Sequence, residues 1–249
     1  QAHFNLGDSD ESAPLVQGGT ALPAHASRLR RVSRPLAIFC DFDGTFSIQD
    51  VGSTLAKSHR AKERLAVQER FSRREITAWE SNMELLHGLA LPESELDAFL
   101  RTVQLDPEAR RLLAWCDDRG VPFRILSDGF DYNLERLKQI HEIDFSYTAN
   151  RLRYEAGRWQ IAPGAPDASC SCGTGVCKRA EIEAYRTNHQ EAVIVHVGNG
   201  QVSDLCGAIA ANLAFAKDTL APALFARGEE YEPFQDLGDV IRILEDLGF

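Results

Sequence analysis

Apolar runs that end in polar turns recur along this chain. Four runs share the pattern, the second and third interrupted only by Arg124 and His196; they span residues 36–40, 121–126, 192–197 and 213–216. A continuous apolar run of this length predicts a strand buried on both faces of a parallel sheet. Three runs are followed at once by polar clusters, which are Asp41-Phe42-Asp43-Gly44-Thr45, Ser127-Asp128-Gly129 and Gly198-Asn199-Gly200.

Helices are predicted between these strands. Asp106 and Pro107 form a favourable helix start, with a capping carboxylate and Pro at the first helical position, and Gly120 follows as a stop. A second helix is predicted over residues 178–185. Strands that alternate with helices indicate an α/β fold with a doubly wound, Rossmann-like parallel sheet. Such sheets bind ligands at the carboxyl ends of their strands, where all three polar clusters fall.

Two segments interrupt the alternation. Residues 52–105 show helical apolar spacing and no convincing strand, which predicts a small helical cap inserted after the first strand. The α/β core then comprises residues 35–51 and 106–249. Within it, residues 145–162 alternate between polar and apolar and turn at Glu155-Ala156-Gly157, as a β-hairpin does.

Residues 1–34 have no sustained periodicity. They mix Gly, Ser, Pro and Ala and end in a basic patch of Arg28, Arg30, Arg31 and Arg34. A docking arm is one interpretation, but this composition favours a disordered N-terminal tail.

Composition and charge narrow the possible partners. The formal net charge is −10 at pH 7, so we expect no nucleic-acid partner, which a basic patch would signal. No apolar run approaches the roughly 18 residues that a transmembrane helix needs, so no membrane partner is expected. The six cysteines could form disulfides, but the chain is large enough to fold without them. Reduced thiols and a cytoplasmic location are therefore predicted.

Asp41 and Asp43 lie two positions apart directly after a predicted buried strand. Carboxylates this close repel each other unless a cation lies between them or one is protonated. Phosphoryl transfer can use both states, because one carboxylate attacks phosphorus while the other exchanges protons with the leaving alcohol and with water. A Mg²⁺ ion held by oxygen ligands would screen the nucleophile from the negative phosphate.

Other strand ends offer the groups that such a reaction needs. Ser127 and the main-chain N–H groups of Asp128 and Gly129 suit phosphate oxygens. Lys178 opens a helix after a glycine-containing loop, from which it can reach both phosphate and nucleophile. Asn199 and Asp204 follow the third strand and can supply oxygen ligands to a metal. A small phosphorylated metabolite is the predicted substrate.

Asp41-Phe42-Asp43-Gly44-Thr45, Ser127, Lys178 and Asp204, in this order, resemble the four motifs of the haloacid dehalogenase superfamily over residues 36–245. The resemblance implies that Asp41 is the nucleophile and Asp43 the general acid/base. It also implies that Ser127 and Lys178 bind phosphate, and that Asp41, Asp43 through its carbonyl, and the side chains of the fourth motif hold Mg²⁺.

A narrower resemblance concerns the branch of this superfamily. The helical insertion and Asn150-Arg151-Leu152 resemble the phosphoserine phosphatase-like branch. Within it, the segment from Cys172 to Lys178 and Phe215-Ala216-Lys217-Asp218 look most like a phosphatase of methionine salvage. Asp50 falls where that branch has an acidic residue facing the substrate, although a linker carboxylate with no such role is an equal alternative.

One position departs from the family pattern. The family usually has Asp where this chain has Asn199, which keeps a carbonyl oxygen but loses a negative charge and should weaken metal binding. Two alternatives to hydrolysis stay open, the first because the same residues serve hydrolysis and transfer, the second because of Asn199. The phosphoryl group could pass from aspartate to an acceptor alcohol, or the protein could be a phosphate-ligand binding protein with weakened catalysis.

Cys170, Cys172 and Cys177 cluster in the loop before Lys178. Their spacing differs from a C-x-x-C pair and no nearby His completes a four-ligand set, so zinc binding, a redox-sensitive thiol cluster and an inert loop are all possible. His196 lies within a predicted buried strand and is expected to be a satisfied core histidine.

Overall fold

A seven-stranded sheet forms the centre of the molecule in a computed structural model that describes residues 34–249. Its strands, in chain order, are β1 (Leu36–Cys40), β2 (Phe123–Phe130), β3 (Ser146–Glu155), β4 (Arg158–Ala162), β5 (Val193–Gly198), β6 (Leu213–Ala216) and β7 (Glu232–Pro233). In space the order is β4-β3-β2-β1-β5-β6-β7, and only the β3–β4 pair is antiparallel. The tail predicted for residues 1–34 lies outside the described residues apart from Arg34.

Ten α-helices accompany the sheet within residues 34–249. They are α1 (Val51–His59), α2 (Ala61–Ser72), α3 (Ala78–Leu86), α4 (Glu93–Leu100), α5 (Ala109–Arg119), α6 (Asp131–His141), α7 (Lys178–Asn188), α8 (Leu205–Ala210), α9 (Leu220–Phe225) and α10 (Leu237–Leu247). No helix in this part of the chain is both long and apolar enough to cross a lipid bilayer.

Alternate residues of β1 enter two different cores, as a strand with period two requires. Ile38 packs in the larger core with residues of α5 and α10, whereas Phe39 packs on the other side with Ile182 and Tyr185 of α7. Helices therefore cover both faces of a mostly parallel sheet. The predicted doubly wound α/β class is confirmed.

The hairpin was predicted correctly, and two other boundaries were not. β3 and β4 meet at Ala156 and Gly157, which both have positive φ. Strand β2 continues through Ser127-Asp128-Gly129, which had been expected to follow it. Helix α5 begins at Ala109 rather than Pro107, because Asp106 instead accepts a hydrogen bond from Glu108 N at 2.9 Å within a turn.

Four helices, α1 to α4, occupy the segment between β1 and α5, where the sequence predicts an inserted cap. The two ends of this segment meet, since Ser47 forms a bridge with Leu105 and Ile48 N donates to Gln104 O at 2.9 Å. An insertion that leaves and re-enters the core at one point would have this geometry. The division into core and cap remains a prediction, which the meeting of the ends favours.

Candidate active site

The central strands β2, β1 and β5 bring three of the predicted polar clusters together. They are neighbours in the sheet and run parallel, so their carboxyl ends open on one edge. Asp41 follows β1 directly, and its N–H donates to Val197 O of β5 at 2.8 Å. Ser127 lies within β2, and Asn199 follows β5.

A tight turn over Phe42–Phe46 carries the chain away from β1. Gly44 occupies this turn with φ +79°, a conformation that side chains with a Cβ rarely adopt. A Cβ at Gly44 would also lie 2.4 Å from Asn199 Nδ2. The glycine therefore allows the turn after Asp41 to pack directly against the loop after β5.

Lys178 is the buried cation of this site. Its ammonium donates to Asp41 Oδ1 and, at 2.5 Å, to Asp204 Oδ1, and its side chain is fully buried. Lys178 is the first residue of α7, and Asp204 directly precedes α8. Lys178 thus connects the end of β1 to the N-terminal ends of α7 and α8.

Asp204 has both carboxylate oxygens engaged. Oδ1 accepts from Lys178 and lies 3.1 Å from His196 Nε2, while Oδ2 accepts from the main-chain N–H groups of Asn199 at 3.1 Å and Gly200 at 2.8 Å. Burial opposes its charge, but Lys178 and His196 outweigh burial and lower the pKa of Asp204. This buried aspartate is therefore ionised and positions both the lysine and the loop after β5.

Lys178 and His196 differ in charge although both are buried. Burial lowers the pKa of each, but for Lys178 the carboxylates of Asp204 and Asp41 outweigh it, so its pKa is raised and the ammonium stays charged. For His196 burial prevails, which lowers its pKa and keeps the ring neutral.

Negative charge is in excess around Asp41. Burial and the neighbouring Asp204 raise its pKa to about 7, although Lys178 opposes the shift. One ammonium is shared by two buried carboxylates, and Asp43 adds a third carboxyl group nearby. Buried carboxylates in such excess call for a further cation, and oxygen donors suit a hard divalent ion. The side chains of Asp41 and Asn199 and the main-chain carbonyl of Asp43 fit this requirement.

Asp43 is set up to hold a proton. Burial and the charges of Asp50 and Asp41 raise its pKa well above the ordinary range, and the hydrogen bond from Val51 N at 2.7 Å offsets only part of this. Ser127 Oγ lies 3.5 Å from Asp43 Oδ2 and accepts from Gly129 N at 2.9 Å. A protonated Asp43 beside an ionised Asp41 is the pairing that acid-assisted attack on an ester needs.

The carboxylate of Asp128 makes contacts of its own. Its Oδ1 accepts from Asn150 Nδ2 at 3.0 Å, Gly175 N at 2.8 Å and Val176 N at 3.3 Å. Asn150 in turn accepts from Gly164 N at 3.1 Å. Through Oδ1, the Asp128 side chain therefore fastens β2 to β3 and to the loop before α7.

Asp128→Asn is expected to change how stability depends on pH. Burial raises the pKa of Asp128 to about 6, above its unfolded value near 3.9, so its contribution to stability is present below about pH 4 and is lost as pH rises through 6. Asn keeps the accepting oxygen and removes the charge. At pH 7.5 the variant should be more stable than wild type by about 1–3 kcal/mol, and near pH 4 this advantage should vanish. Urea unfolding at pH 7.5 and near pH 4 measures this difference in unfolding free energy. A stability advantage that does not change with pH would contradict the raised pKa of Asp128.

A cleft of about 400 Å³ opens above these residues. The core contributes Asp41, Asp43, Asp128 and Asn199, and the helices α1 to α3 contribute the opposite wall. Asp50 also lines it, and its carboxylate caps α1 by accepting from Ser53 N at 2.6 Å. The predicted substrate contact of Asp50 and a structural role are thus compatible.

Three features of the site were not predicted as such. Arg64, the only basic side chain among the described residues that line the cleft, lies on α2 in a charged stretch without a pattern to distinguish it. Asn150 was noted only for its resemblance, and its hydrogen bonds depend on the pairing of β2 with β3. His196 is buried as predicted, but its contact with Asp204 links it to the site.

A sequence model described as haloacid dehalogenase-like hydrolase matches residues 38–208. Two similar relatives are named 2-hydroxy-3-keto-5-methylthiopentenyl-1-phosphate phosphatase. The one from Brevibacillus brevis is 26% identical over 220 residues, covering 87% of this chain and 98% of the relative. The one from Geobacillus kaustophilus is 28% identical over 227 residues, with the same shares covered.

Solved structures with the same fold include phosphoserine phosphatases. A substrate-bound complex superposes with a TM-score of 0.64 at 17% identity and covers 85% of this chain and 99% of its own. A probable phosphoserine phosphatase from Vibrio cholerae, unliganded, has a TM-score of 0.63 at 27% identity and covers 87% of this chain and 65% of its own.

Proposed function

This chain belongs to the haloacid dehalogenase-like hydrolase family and is a phosphatase enzyme, and from that premise we propose that it hydrolyses a small phosphomonoester through an aspartyl-phosphate on Asp41. The observation that carries the proposal is the buried contact of Lys178 with Asp41, beside an Asp43 whose pKa is raised. Above about pH 7 the cleft thus holds an ionised Asp41 beside an Asp43 whose raised pKa favours its protonated form.

In the first half-reaction an Asp41 carboxylate oxygen attacks phosphorus. The bond from phosphorus to the leaving oxygen breaks, and Asp43 donates its proton to that oxygen so that a neutral alcohol leaves. Lys178 holds Asp41 Oδ1 in place. Ser127 and the main chain around Gly129 would receive phosphate oxygens once the hydrogen bond from Gly129 N to Ser127 Oγ opens.

In the second half-reaction water attacks the phosphorus of the aspartyl-phosphate. Asp43, now ionised, accepts the proton of the water, the bond from phosphorus to Asp41 breaks, and inorganic phosphate leaves with Asp41 restored as a carboxylate. Asp43 thus acts first as an acid and then as a base. Each half-reaction leaves Asp43 in the protonation state that the other half-reaction needs.

The divalent cation is proposed to be Mg²⁺, held by the side chains of Asp41 and Asn199 and by the Asp43 carbonyl. Bound there, it would neutralise charge between phosphate and nucleophile. Asp204 was predicted as a further ligand. Because both of its oxygens are engaged, a positioning role toward Lys178 and the loop after β5 is favoured instead.

Asn199→Asp is expected to strengthen Mg²⁺ binding. A carboxylate adds a negative charge to the ligand set, and the Mg²⁺ concentration for half-maximal activity should fall by about tenfold. Asn199 Nδ2 now donates to Asp218 Oδ2 at 3.2 Å, so the new carboxylate would face Asp218. The double variant with Asp218→Asn removes that repulsion and should show a gain at least as large. Mg²⁺ titrations of both variants measure the effect, and an unchanged requirement in both would exclude Asn199 as a ligand.

The substrate that we favour is the enol phosphate named in the relatives, 2-hydroxy-3-keto-5-methylthiopentenyl 1-phosphate. The cleft supports an apolar leaving group, because one part of its wall is formed by Phe71, Ala78, Leu85, Leu86 and Phe130. A thioether chain could pack against this wall while the phosphate faces Asp41.

Phosphoserine is a second candidate, favoured by two charged residues in the same cleft. Arg64 could pair with a substrate carboxylate, and Asp50 with a substrate ammonium group. The two candidates therefore make opposite demands on the cap: the enol phosphate uses the apolar wall, whereas phosphoserine needs the Arg64 and Asp50 charges.

Release of inorganic phosphate from a panel containing both compounds, with Mg²⁺ and with EDTA, tests the proposal. We expect Mg²⁺-dependent turnover with the enol phosphate as the better substrate by kcat/KM, and a smaller effect of Arg64→Gln on it than on phosphoserine. Addition of an acceptor alcohol separates hydrolysis from phosphotransfer, because only transfer yields a new phosphate ester. Binding of phosphate ligands without any turnover would contradict the proposal and favour a binding protein.

A further inference from the structure

Four cysteines meet behind the active site. Cys170, Cys172 and Cys177 come from the loop before α7, and Cys206 comes from α8; we call them the four-cysteine cluster. Their Sγ atoms all lie within 4.8 Å of one another, and all four thiols are free. Sequence alone offered three of these cysteines without a fourth ligand, because Cys206 is far along the chain and reaches them only when α8 packs against α7.

We propose that the four-cysteine cluster binds one structural zinc ion. Zinc is held by four thiolates in a closed tetrahedral site, with Zn–S distances of about 2.3 Å. Four thiolate ligands select soft ions rather than Mg²⁺. A tetrahedron of that size has sulfur–sulfur edges of about 3.8 Å, so small inward shifts of the side chains complete it.

Hydrogen-bond donors surround three of the four sulfurs. Thr174 Oγ1 donates to Cys172 Sγ at 3.1 Å. Three sulfurs also accept main-chain hydrogen bonds, Cys172 from Thr174, Cys177 from Ala180 and Cys206 from Arg179. Hydrogen bonds from N–H and O–H groups to the ligand atoms are the outer contacts that orient metal ligands and stabilise their charge.

The location of the cluster indicates what the zinc would do. Cys177 directly precedes Lys178, and Cys206 lies two positions after Asp204. The helices that carry these residues approach closely, since a Cβ on Gly207 would lie 2.9 Å from Lys178 Cβ. An ion bound by both cysteines would therefore fix the distance between the Lys178 ammonium, which contacts Asp41, and the Asp204 carboxylate, which positions that ammonium.

The loop that carries three of the cysteines has almost no regular secondary structure, although hydrogen bonds to Asp128 and Asn150 hold its ends. Residues 163–177 join β4 to α7 and contain no helix or strand element, apart from an isolated bridge between Ala165 and Val176. Connections of this length without secondary structure are uncommon in compact domains unless a function or a ligand orders them. A metal ion that joins the loop to α8 supplies such a constraint, as structural zinc does elsewhere.

Metal analysis of the full chain tests the proposal. Protein purified under reducing conditions, reconstituted with Zn²⁺ and passed through gel filtration should retain about one zinc per chain. Cys206→Ser and Cys170→Ser should each lower zinc retention by more than about tenfold. Mutation of residues that only hydrogen-bond to metal ligands already lowers metal affinity by about tenfold or more, so loss of a ligand should cost at least as much. Cys116→Ser, which removes a buried free cysteine outside the cluster, is the matched control and should retain zinc like wild type.

Co²⁺ substitution keeps the test independent of whether the variants fold. Wild-type protein loaded with Co²⁺ should show the intense visible bands of tetrahedral thiolate coordination, and added Zn²⁺ should abolish them. Removing zinc with a chelator that ignores Mg²⁺ should expose additional thiols to a thiol reagent and lower the unfolding temperature. The proposal is overturned if wild type retains no zinc, if the bound Co²⁺ lacks thiolate bands, if iron is retained instead, or if peptide mapping finds disulfides among these cysteines.

Discussion

Asp41→Asn is expected to reduce phosphate release by at least about 10⁴-fold, the scale of loss seen when a covalent nucleophile is removed. Asn has the same shape and can still accept a hydrogen bond from Lys178, but its amide cannot form the phosphoryl bond. The fold should not suffer. Burial raises the pKa of Asp41 to about 7, so its ionised form opposes folding above that pH, and Asn removes this cost.

The measurement pairs steady-state phosphate release with urea unfolding at pH 7.5. Unfolding free energy should be unchanged or higher in Asp41→Asn, which separates a chemical defect from a folding defect. Asp118→Asn, at an exposed position of α5, is the matched control and should retain both activity and stability. An Asp41→Asn enzyme that keeps even a few per cent of wild-type turnover would contradict the assignment of the nucleophile.

Lys178→Met is expected to lose both stability and activity. Met has a similar length but no charge, so Asp41 and Asp204 would be left buried without their shared cation. Breaking a buried ion pair by removing one partner typically costs about 3–5 kcal/mol. Phosphate release should fall by at least about 10³-fold, because the cationic group next to nucleophile and phosphate is gone.

A double variant shows whether the stability loss comes from charge or from packing. In Lys178→Met with Asp204→Asn one uncompensated carboxylate is removed, so a substantial part of the lost unfolding free energy should return while activity stays low. Lys57→Met, at an exposed position of α1, is the matched control. If the double variant were as unstable as the sum of both single variants, electrostatic coupling through Lys178 would be disproved.

The strands, and the order in which candidate site residues follow them along the chain, could be predicted because the signals are local. Leu213–Ala216 was predicted to the residue, since a short apolar run is bounded by polar residues on both sides. The Asp41 and Asp43 pair was recognised as a candidate site because it directly follows a buried strand, and the resemblance to the family implied that Asp41 is the nucleophile. The predicted assignment to this phosphatase family is confirmed by the match over residues 38–208.

The direction of individual side chains could not be predicted. Asp128 seemed to follow a strand, but β2 continues through it and its carboxylate binds the loop before α7. Asp204 is predicted as a metal ligand, and in the structure its carboxylate contacts Lys178 at the start of α7 and His196 on β5. Contacts of this kind depend on how helices pack on the sheet, and a single sequence shows no pattern for that.

The helical segment between β1 and α5 is the least predictable part. Its apolar spacing indicated helices but not which faces turn to the cleft, so Arg64 on α2 was missed while Asp50 was noted. The four-cysteine cluster was missed for the same reason, because Cys206 joins it only through the packing of α8 on α7. Cleft residues such as Arg64, and clusters outside the cleft such as the four cysteines, can therefore be identified only from the structure.

Chemical trapping of the phosphorylated enzyme tests the central claim most directly. Wild-type protein with Mg²⁺ and its best phosphomonoester substrate is quenched in acid during turnover, digested and analysed by mass spectrometry. The account predicts a phosphoryl group on the peptide that contains Asp41, stable to acid, removed by hydroxylamine and absent from Asp41→Asn. Turnover without any phosphorylated peptide, or with the phosphoryl group on a different residue, would contradict it.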